Sequence, residues 1–295
     1  MALSKPSPQG AGGTPEDDAN PTGGGVARIG AGAAGRRGEA AAVHLDTLTI
    51  GGLPIARLSR REMADLMIAD VDLARNGALP RPRVITSCNG SLVAAYHSDR
   101  QLREHIDQID LVDADGMAIV FASRIFCKRP LPERAATTDF LLDAAVAAAA
   151  HGTRFFLLGA RPGVAARAAE HLRYRFPGLQ IVGTRNGYFN DSEISAICRQ
   201  VRDAGTDVLW LGLGSGRQET VALQCRDQLT GLGWVRTCGG LFDHYGGGVS
   251  RAPKWMQAAG MEWLYRAARE PMRLGWRYAV TNPVALYHLV TKTHD

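Results

Sequence analysis

A mainly parallel, Rossmann-like α/β sheet with helices on both faces is predicted for this chain, and three observations predict it. Six short apolar stretches of strand length recur at 83–87, 108–112, 154–158, 179–184, 208–213 and 233–238. Most are separated by stretches of helical periodicity, including 163–176 and 192–204. Several are followed by turns carrying Gly, Asn or Asp. Repeated strand–turn–helix units imply a parallel sheet covered on both faces, in which ligands bind beyond the carboxyl ends of the strands.

The elements follow in order. Residues 1–43 are Gly, Ala, Pro and Ser with almost no large apolar side chain, too little to offset ordering entropy, so a disordered tail is expected there. From His44 the chain alternates through Ile50, meets Gly51-Gly52 and resumes at Leu53-Pro54-Ile55, a hairpin signal. Ser59 with Glu62 three residues on forms a capping box for a helix over 59–76. The α/β core is expected over 44–249, with 250–295 as a C-terminal appendage.

That last segment is the most distinctive part of the chain. Trp255, Trp263 and Trp276 fall between residues 250 and 280 together with Arg251, Arg266, Arg269, Arg273 and Arg277. Pro253 suits a first helical turn, and a helix from there places Trp255, Ala259 and Trp263 on one face, with Glu262 and Arg266 as an i,i+4 pair. Pro271 should end it and start a second helix with Arg273 and Arg277 one turn apart. Tryptophan rings and arginine heads suit an interface with anionic lipid, and an amphipathic helix packed on its own domain satisfies the pattern equally.

Composition narrows the classes. A net charge of +5 and a pI of about 9.1 permit an anionic partner, while 21% charged residues without a long basic run argue against nucleic acid. The five cysteines are scattered with no C-x-x-C pair, and no secretory h-region is visible, which points to the cytoplasm without a disulfide framework or zinc site. No apolar stretch reaches the roughly 18 residues of a bilayer span, so membrane contact would be peripheral.

Candidate chemistry lies just after the strands. Thr86-Ser87-Cys88-Asn89-Gly90 offers two hydroxyls and an amide, and Asp115 in Asp113-Ala114-Asp115-Gly116 is placed to act as a general base. Asn-Gly and Asp-Gly are also ordinary turn dipeptides. The Asp113-x-Asp115 spacing could share a divalent cation. Gly212-Leu213-Gly214-Ser215-Gly216 opens a helix with exposed N–H groups suited to phosphate, followed by Gln218 and Glu219; it is neither a dinucleotide fingerprint nor a Walker A loop. Arg134 could neutralise a diphosphate, or pair within its loop, with Thr138 or Asp139 capping the next helix. The histidines show no metal spacing, and His244 beside Asp243 reads as a turn residue.

Taken in order, Asn89-Gly90, Asp115-Gly116-Met117-Ala118-Ile119-Val120, Pro132-Glu133-Arg134, Gln218-Glu219, Gly239-Gly240-Leu241-Phe242-Asp243 and Arg251-Ala252-Pro253 through Glu270-Pro271 resemble the WecG/TagA/CpsF glycosyltransferase family over residues 45–285. The resemblance implies a bacterial enzyme that moves a sugar from a UDP-sugar to a polyprenyl-diphosphate-linked sugar at the inner face of the plasma membrane, during exopolysaccharide or cell-surface polysaccharide synthesis. It implies Asp115 as the base of an inverting attack. It implies substrate contacts at Thr86, Ser87, Asn89, Arg134, Asp139, Gly214, Gln218, Glu219, Asp243 and Arg251. Membrane or diphosphate contact falls to Trp255, Trp263, Arg266, Arg269, Arg273 and Arg277.

Three positions depart from the family pattern. Ser87 stands for a threonine, Gly216 for a proline and Thr137 for a glycine. The family is regarded as needing no D-x-D metal, so no cofactor is expected, and Asp113 lies where the motif fixes nothing. Donors of the family include N-acetylmannosamine, its uronic acid and glucose; the Thr86–Gly90 variant and the long tail favour glucose. A non-catalytic nucleotide-binding protein or a Rossmann dehydrogenase are the competing classes, the latter opposed by the missing G-x-G-x-x-G. Self-association is a further partner that the composition allows.

Overall fold

The computed structural model describes residues 45–295, and the tail expected over 1–43 lies outside them. Strands β1 (Thr47–Ile50) and β2 (Leu53–Ala56) form the expected antiparallel hairpin. Gly51 and Gly52 have φ of +60° and +85°, the two left-handed residues that a tight two-residue turn demands. Helix α1 (Arg60–Arg75) starts with the predicted capping box: Ser59 Oγ accepts from Glu62 N, and Glu62 accepts from Ser59 N.

The chain then runs through β3 (Arg83–Cys88), α2 (Gly90–Ser98), α3 (Arg100–Ile106), β4 (Leu111–Ala114), α4 (Met117–Phe126) and α5 (Thr137–His151). It continues through β5 (Arg154–Gly159), α6 (Val164–Arg175), β6 (Gln180–Arg185), α7 (Ile194–Asp203), β7 (Val208–Gly212), α8 (Arg217–Arg226), β8 (Trp234–Thr237) and α9 (Leu241–Gly246). β3 to β8 form one six-stranded sheet, all pairs parallel, in the order β4-β3-β8-β7-β5-β6. Both faces are covered, as predicted. In β5, Phe155 and Leu157 join the core beneath α1, α5 and α6, while Phe156 and Leu158 join the one beneath α7 and α8. An unbroken apolar run is what a strand buried on both faces requires.

Chain order and sheet order diverge at β3. β3 and β4 are consecutive neighbours; the chain then crosses to β5 and β6 at the far edge and fills back through β7 to β8, beside β3. Such a switch leaves a crevice outside the carboxyl ends of the strands. β4 begins three residues later than the sequence predicts. Gln108 and Ile109 are held in the turn leaving α3, and the Asp110 carboxylate accepts from Val84 N at 2.8 Å, marking the strand's entrance. Asp113 consequently lies inside the strand, and Asp115 just past its end.

The single helix expected from Pro253 to Pro271 is instead two. α10 (Lys254–Ala258) stops at Gly260, whose φ of +74° no continuing helix adopts, and α11 (Glu262–Arg269) starts beyond it. Trp255 and Trp263 therefore sit on different helices, and Glu262 turns inward instead of pairing with Arg266. A π-helical turn, Pro271–Gly275, leads into α12 (Trp276–Thr291), so a second helical segment does begin at Pro271. α12 packs along α2, with Ala285 and Leu289 in the same core as Leu92 and Val93. The chain then returns to the hairpin: Thr49 and His294 exchange backbone hydrogen bonds, and Gly52 N donates to Lys292 O at 2.8 Å.

Candidate active site

The site is built on the ends of β3, β4, β7 and β8. Asp115 N and Gly116 N both donate to Cys88 O, at 2.9 and 3.1 Å, which fastens the turn after β4 to the end of β3. A Cβ on Gly116 would lie 3.1 Å from Asn89 Cα, so glycine permits the close approach. The half-buried Asp115 side chain accepts from Thr137 N through Oδ1 at 3.0 Å. Among the described residues no donor reaches its Oδ2. One oxygen is held and the other open, an arrangement suited to a base that must present a fixed lone pair.

Arg134 ties this turn to the C-terminal segment. Its Nε donates to Asp115 O at 2.5 Å and its Nη2 to Glu262 at 2.9 Å. Arg251 meets Glu262 at 3.7 Å and also forms an ion pair with Asp139. Glu262 thus joins two arginines, and α11 is drawn over the Asp115 edge of the sheet. Asp139 is an ion-pair partner; the helix it opens has no side-chain cap from Thr138 or Asp139. Tyr245 OH donates to Thr138 O at 2.8 Å, tying α9 to the start of α5. Asp243, in the first turn of α9, is half-buried, and its carboxylate has no donor among the described residues.

Three of the expected substrate contacts lie beneath the surface of the site. Glu219 is 1% exposed and accepts from Thr86 Oγ1, Gln218 Nε2 and Gly216 N at 2.9, 2.8 and 2.7 Å. Thr86 also accepts from Thr237 Oγ1, and Gln218 Oε1 accepts from Gly239 N. Their polar atoms are consumed by one another, so Thr86, Gln218 and Glu219 brace the strand ends instead of lining the crevice. Ser87, half-buried, is the more accessible hydroxyl of the pair. Asn89 caps α2, its Oδ1 accepting from Leu92 N at 3.1 Å. Gly214 and Gly216 have φ of +85° and +91° with open space around them, so backbone conformation is what selects glycine there. The Glu219 carboxylate already takes the Gly216 N–H at this turn.

Asp113 is 1% exposed and lies against the fully buried Arg236. Its burial pushes the carboxyl up to about 6, against the opposing pull of Arg236. Asp113 is thereby committed to an internal cation and does not share an open face with Asp115. No group of three or more His, Cys, Asp or Glu residues able to hold a metal occurs among the described residues.

The sequence model of the glycosyl transferase WecG/TagA/CpsF family matches residues 48–294. The chain belongs to that family. It is a glycosyltransferase, with sugar donor and acceptor as substrates. The match spans nearly all of the described residues, including α10 to α12.

The outer surface of the C-terminal segment is apolar and basic. Trp255, Trp263 and Trp276 are 64%, 43% and 73% exposed, and Met272 is 90% exposed. Trp263 meets Tyr278 edge to face, with centroids 5.9 Å apart. Arg269 donates to Ser250 Oγ and Tyr265 OH, and Arg277 lies over the Tyr278 ring. The Arg266 side chain makes no hydrogen bond or ion pair among the described residues. Burial lowers the His244 pKa, with Arg266 and Arg251 adding to that shift. No helix among the described residues is long and apolar enough to cross a membrane.

Sequence reasoning missed Arg236, Thr137 and the inward role of Glu262. A signal for the first existed: Arg236 is the one charged residue in the apolar stretch 233–238 expected to be a buried strand, and a buried charge needs a partner.

Proposed function

We propose that this glycosyltransferase moves a sugar, with glucose the favoured donor sugar, from a UDP-sugar to a polyprenyl-diphosphate-linked sugar with inversion at the anomeric carbon. The acceptor is placed at the inner face of the plasma membrane during exopolysaccharide or cell-surface polysaccharide assembly. The observation that carries this reading is Asp115 at the end of β4, with one carboxylate oxygen held by Thr137 N and the other open. Asp115 takes the proton of the acceptor hydroxyl. The oxygen attacks the anomeric carbon from the side opposite the diphosphate, and the bond to the diphosphate breaks with its electron pair leaving on UDP. Arginines of the C-terminal segment offset the charge developing on the departing diphosphate.

The exposed tryptophans beside arginines support peripheral docking on anionic lipid, which brings the site to its lipid-linked acceptor. The test is UDP release across a panel of UDP-sugars with a lipid-linked acceptor. Asp115→Asn should lower transfer by about 10²–10⁴-fold while the thermal unfolding midpoint stays near wild type. Wild-type turnover by that variant removes Asp115 as the base. Joint replacement of Trp255, Trp263 and Trp276 by Ala should abolish co-sedimentation with vesicles containing anionic lipid. Unchanged pelleting removes the docking face.

A further inference from the structure

Beneath Asp115 lies a charge pair that the transfer step itself does not use. Arg236 on β8 and Asp113 on β4 have side chains 0% and 2% exposed, and Arg236 Nη2 lies 2.5 Å from Asp113 Oδ2. β3 runs between those two strands, with Ser87 in register with Asp113. The same Nη2 donates to Ser87 Oγ at 2.7 Å, and the Ser87 and Thr137 hydroxyls lie 2.8 Å apart. Thr137 in turn donates its backbone N–H to Asp115 Oδ1 at 3.0 Å. An unbroken run of polar contacts therefore leads from the buried guanidinium to the proposed base.

Such a pair is costly. Removing two charges from water is rarely repaid by their attraction, and apolar side chains of similar volume usually serve stability as well or better. The neighbouring positions Val84, Val112 and Val235 are fully or almost fully buried and apolar, so these strands accept such residues. What an apolar pair could not do is orient two hydroxyls. The Arg236 ring of contacts is also fixed from its other side, with the guanidinium 5.5 Å from the Phe140 ring centroid on α5, the helix that Thr137 opens.

We propose that Arg236, held by Asp113, is a positioning residue for Asp115: it fixes Ser87 and Thr137 so that the Thr137 amide grips Oδ1 and leaves Oδ2 aimed at the acceptor hydroxyl. This rests on the reading of Asp115 as the base. The pair acts through Thr137 and touches no substrate.

Four variants and two readouts test it. Arg236→Met should lower kcat by about 10–100-fold with the donor KM within about twofold of wild type, because loss of aim affects the reacting geometry and not donor binding. Arg236→Lys, which keeps a cationic donor, should restore part of that loss. The double variant Asp113→Leu with Arg236→Met leaves no orphaned charge and should fold, with the low kcat of Arg236→Met. Ser87→Ala keeps the buried pair and removes the serine arm of its link to Thr137, leaving only the long 3.5 Å contact of Arg236 Nη2 with Thr137 Oγ1.

The second readout is hydrogen exchange of the Thr137 amide, which should quicken in Arg236→Met, in the double variant and in Ser87→Ala relative to later amides of α5. Wild-type kcat in the double variant, or unchanged Thr137 exchange in whichever of these variants fold, overturns the proposal. If wild-type enzyme releases no UDP from any donor, the transferase reading of Asp115 fails by itself. Thr137 exchange then still decides whether Arg236 positions that carboxylate.

Discussion

His97 of α2 and His288 of α12 stack face to face, their ring centroids 3.6 Å apart and their planes 21° from parallel. The His97 Nε2 lies 2.7 Å from Gly51 O, and the buried His288 Nδ1 has no hydrogen-bond partner among the described residues. Burial lowers the pKa of both rings; Lys292 and Arg103 lower both further, and His97 lowers that of His288. A lowered pKa means the folded state resists a proton that the unfolded chain accepts, so this contact is intact above about 6.5 and weakens as pH falls through the folded values. Amide exchange along α12 should therefore speed up at pH 5.5 relative to pH 7.5, beyond the intrinsic change, while β5 and β7 stay protected. His288→Phe, which stacks but cannot be charged, should reduce the difference to the part that His97 carries.

Asp113 has the opposite sign. Its folded pKa of about 6 lies above the ordinary 3.8, so the native state holds this proton more tightly than the unfolded chain does. Its contribution is complete below the unfolded value and is lost as pH rises through about 6, a change of at most roughly 3 kcal/mol. Urea unfolding of wild type and Asp113→Asn at pH 4, 5, 6 and 7 should show the stability of wild type relative to the variant declining across that window, whatever the variant's absolute stability.

Gly159 ends β5 with a φ of +152°, and a Cβ there would lie 2.2 Å from Gly212 O on β7. Gly159→Ala must push the two strand ends apart and should cost more than about 3 kcal/mol. Gly214→Ala, left-handed but unobstructed, should cost about 1 kcal/mol. Equal unfolding midpoints for the two variants would show that the close strand approach carries no energy.

Glu262 compensates Arg134 and Arg251 together. Glu262→Ala should leave Arg134 without its carboxylate and Arg251 with Asp139 alone, loosen α11 and lower sugar transfer by about 10–100-fold. Limited proteolysis between residues 246 and 252 should quicken in parallel. A variant with wild-type turnover and wild-type cleavage would show that the clamp is dispensable.

Much of this was legible in the sequence because the signals were local. The Phe155–Leu158 run, the Gly51-Gly52 turn and the Ser59–Glu62 box each state their conformation within a few residues, and the placement of Asp115 past a strand follows from the same grammar. The exceptions depend on contacts made across the fold. Gly260 looks like a tolerable helix glycine until its φ of +74° places it against Met117 and Phe121 of α4. Thr86 and Glu219 are 133 positions apart and consume each other's polar atoms, which no spacing rule announces. Glu262 has a plausible helical partner in Arg266, and tertiary packing offered it two better ones.

Gly51 N donates to Thr293 Oγ1 across 242 positions of sequence. The two ends of the described fold therefore meet, and the topology is that of a ring with one short gap. A circular permutant that bridges residues 295 and 45 with a brief linker and opens at the exposed Gly77–Ala78 turn should retain the native sheet. In that arrangement the hairpin follows α12 directly, so its most distant pairing becomes one of its most local, and refolding should accelerate.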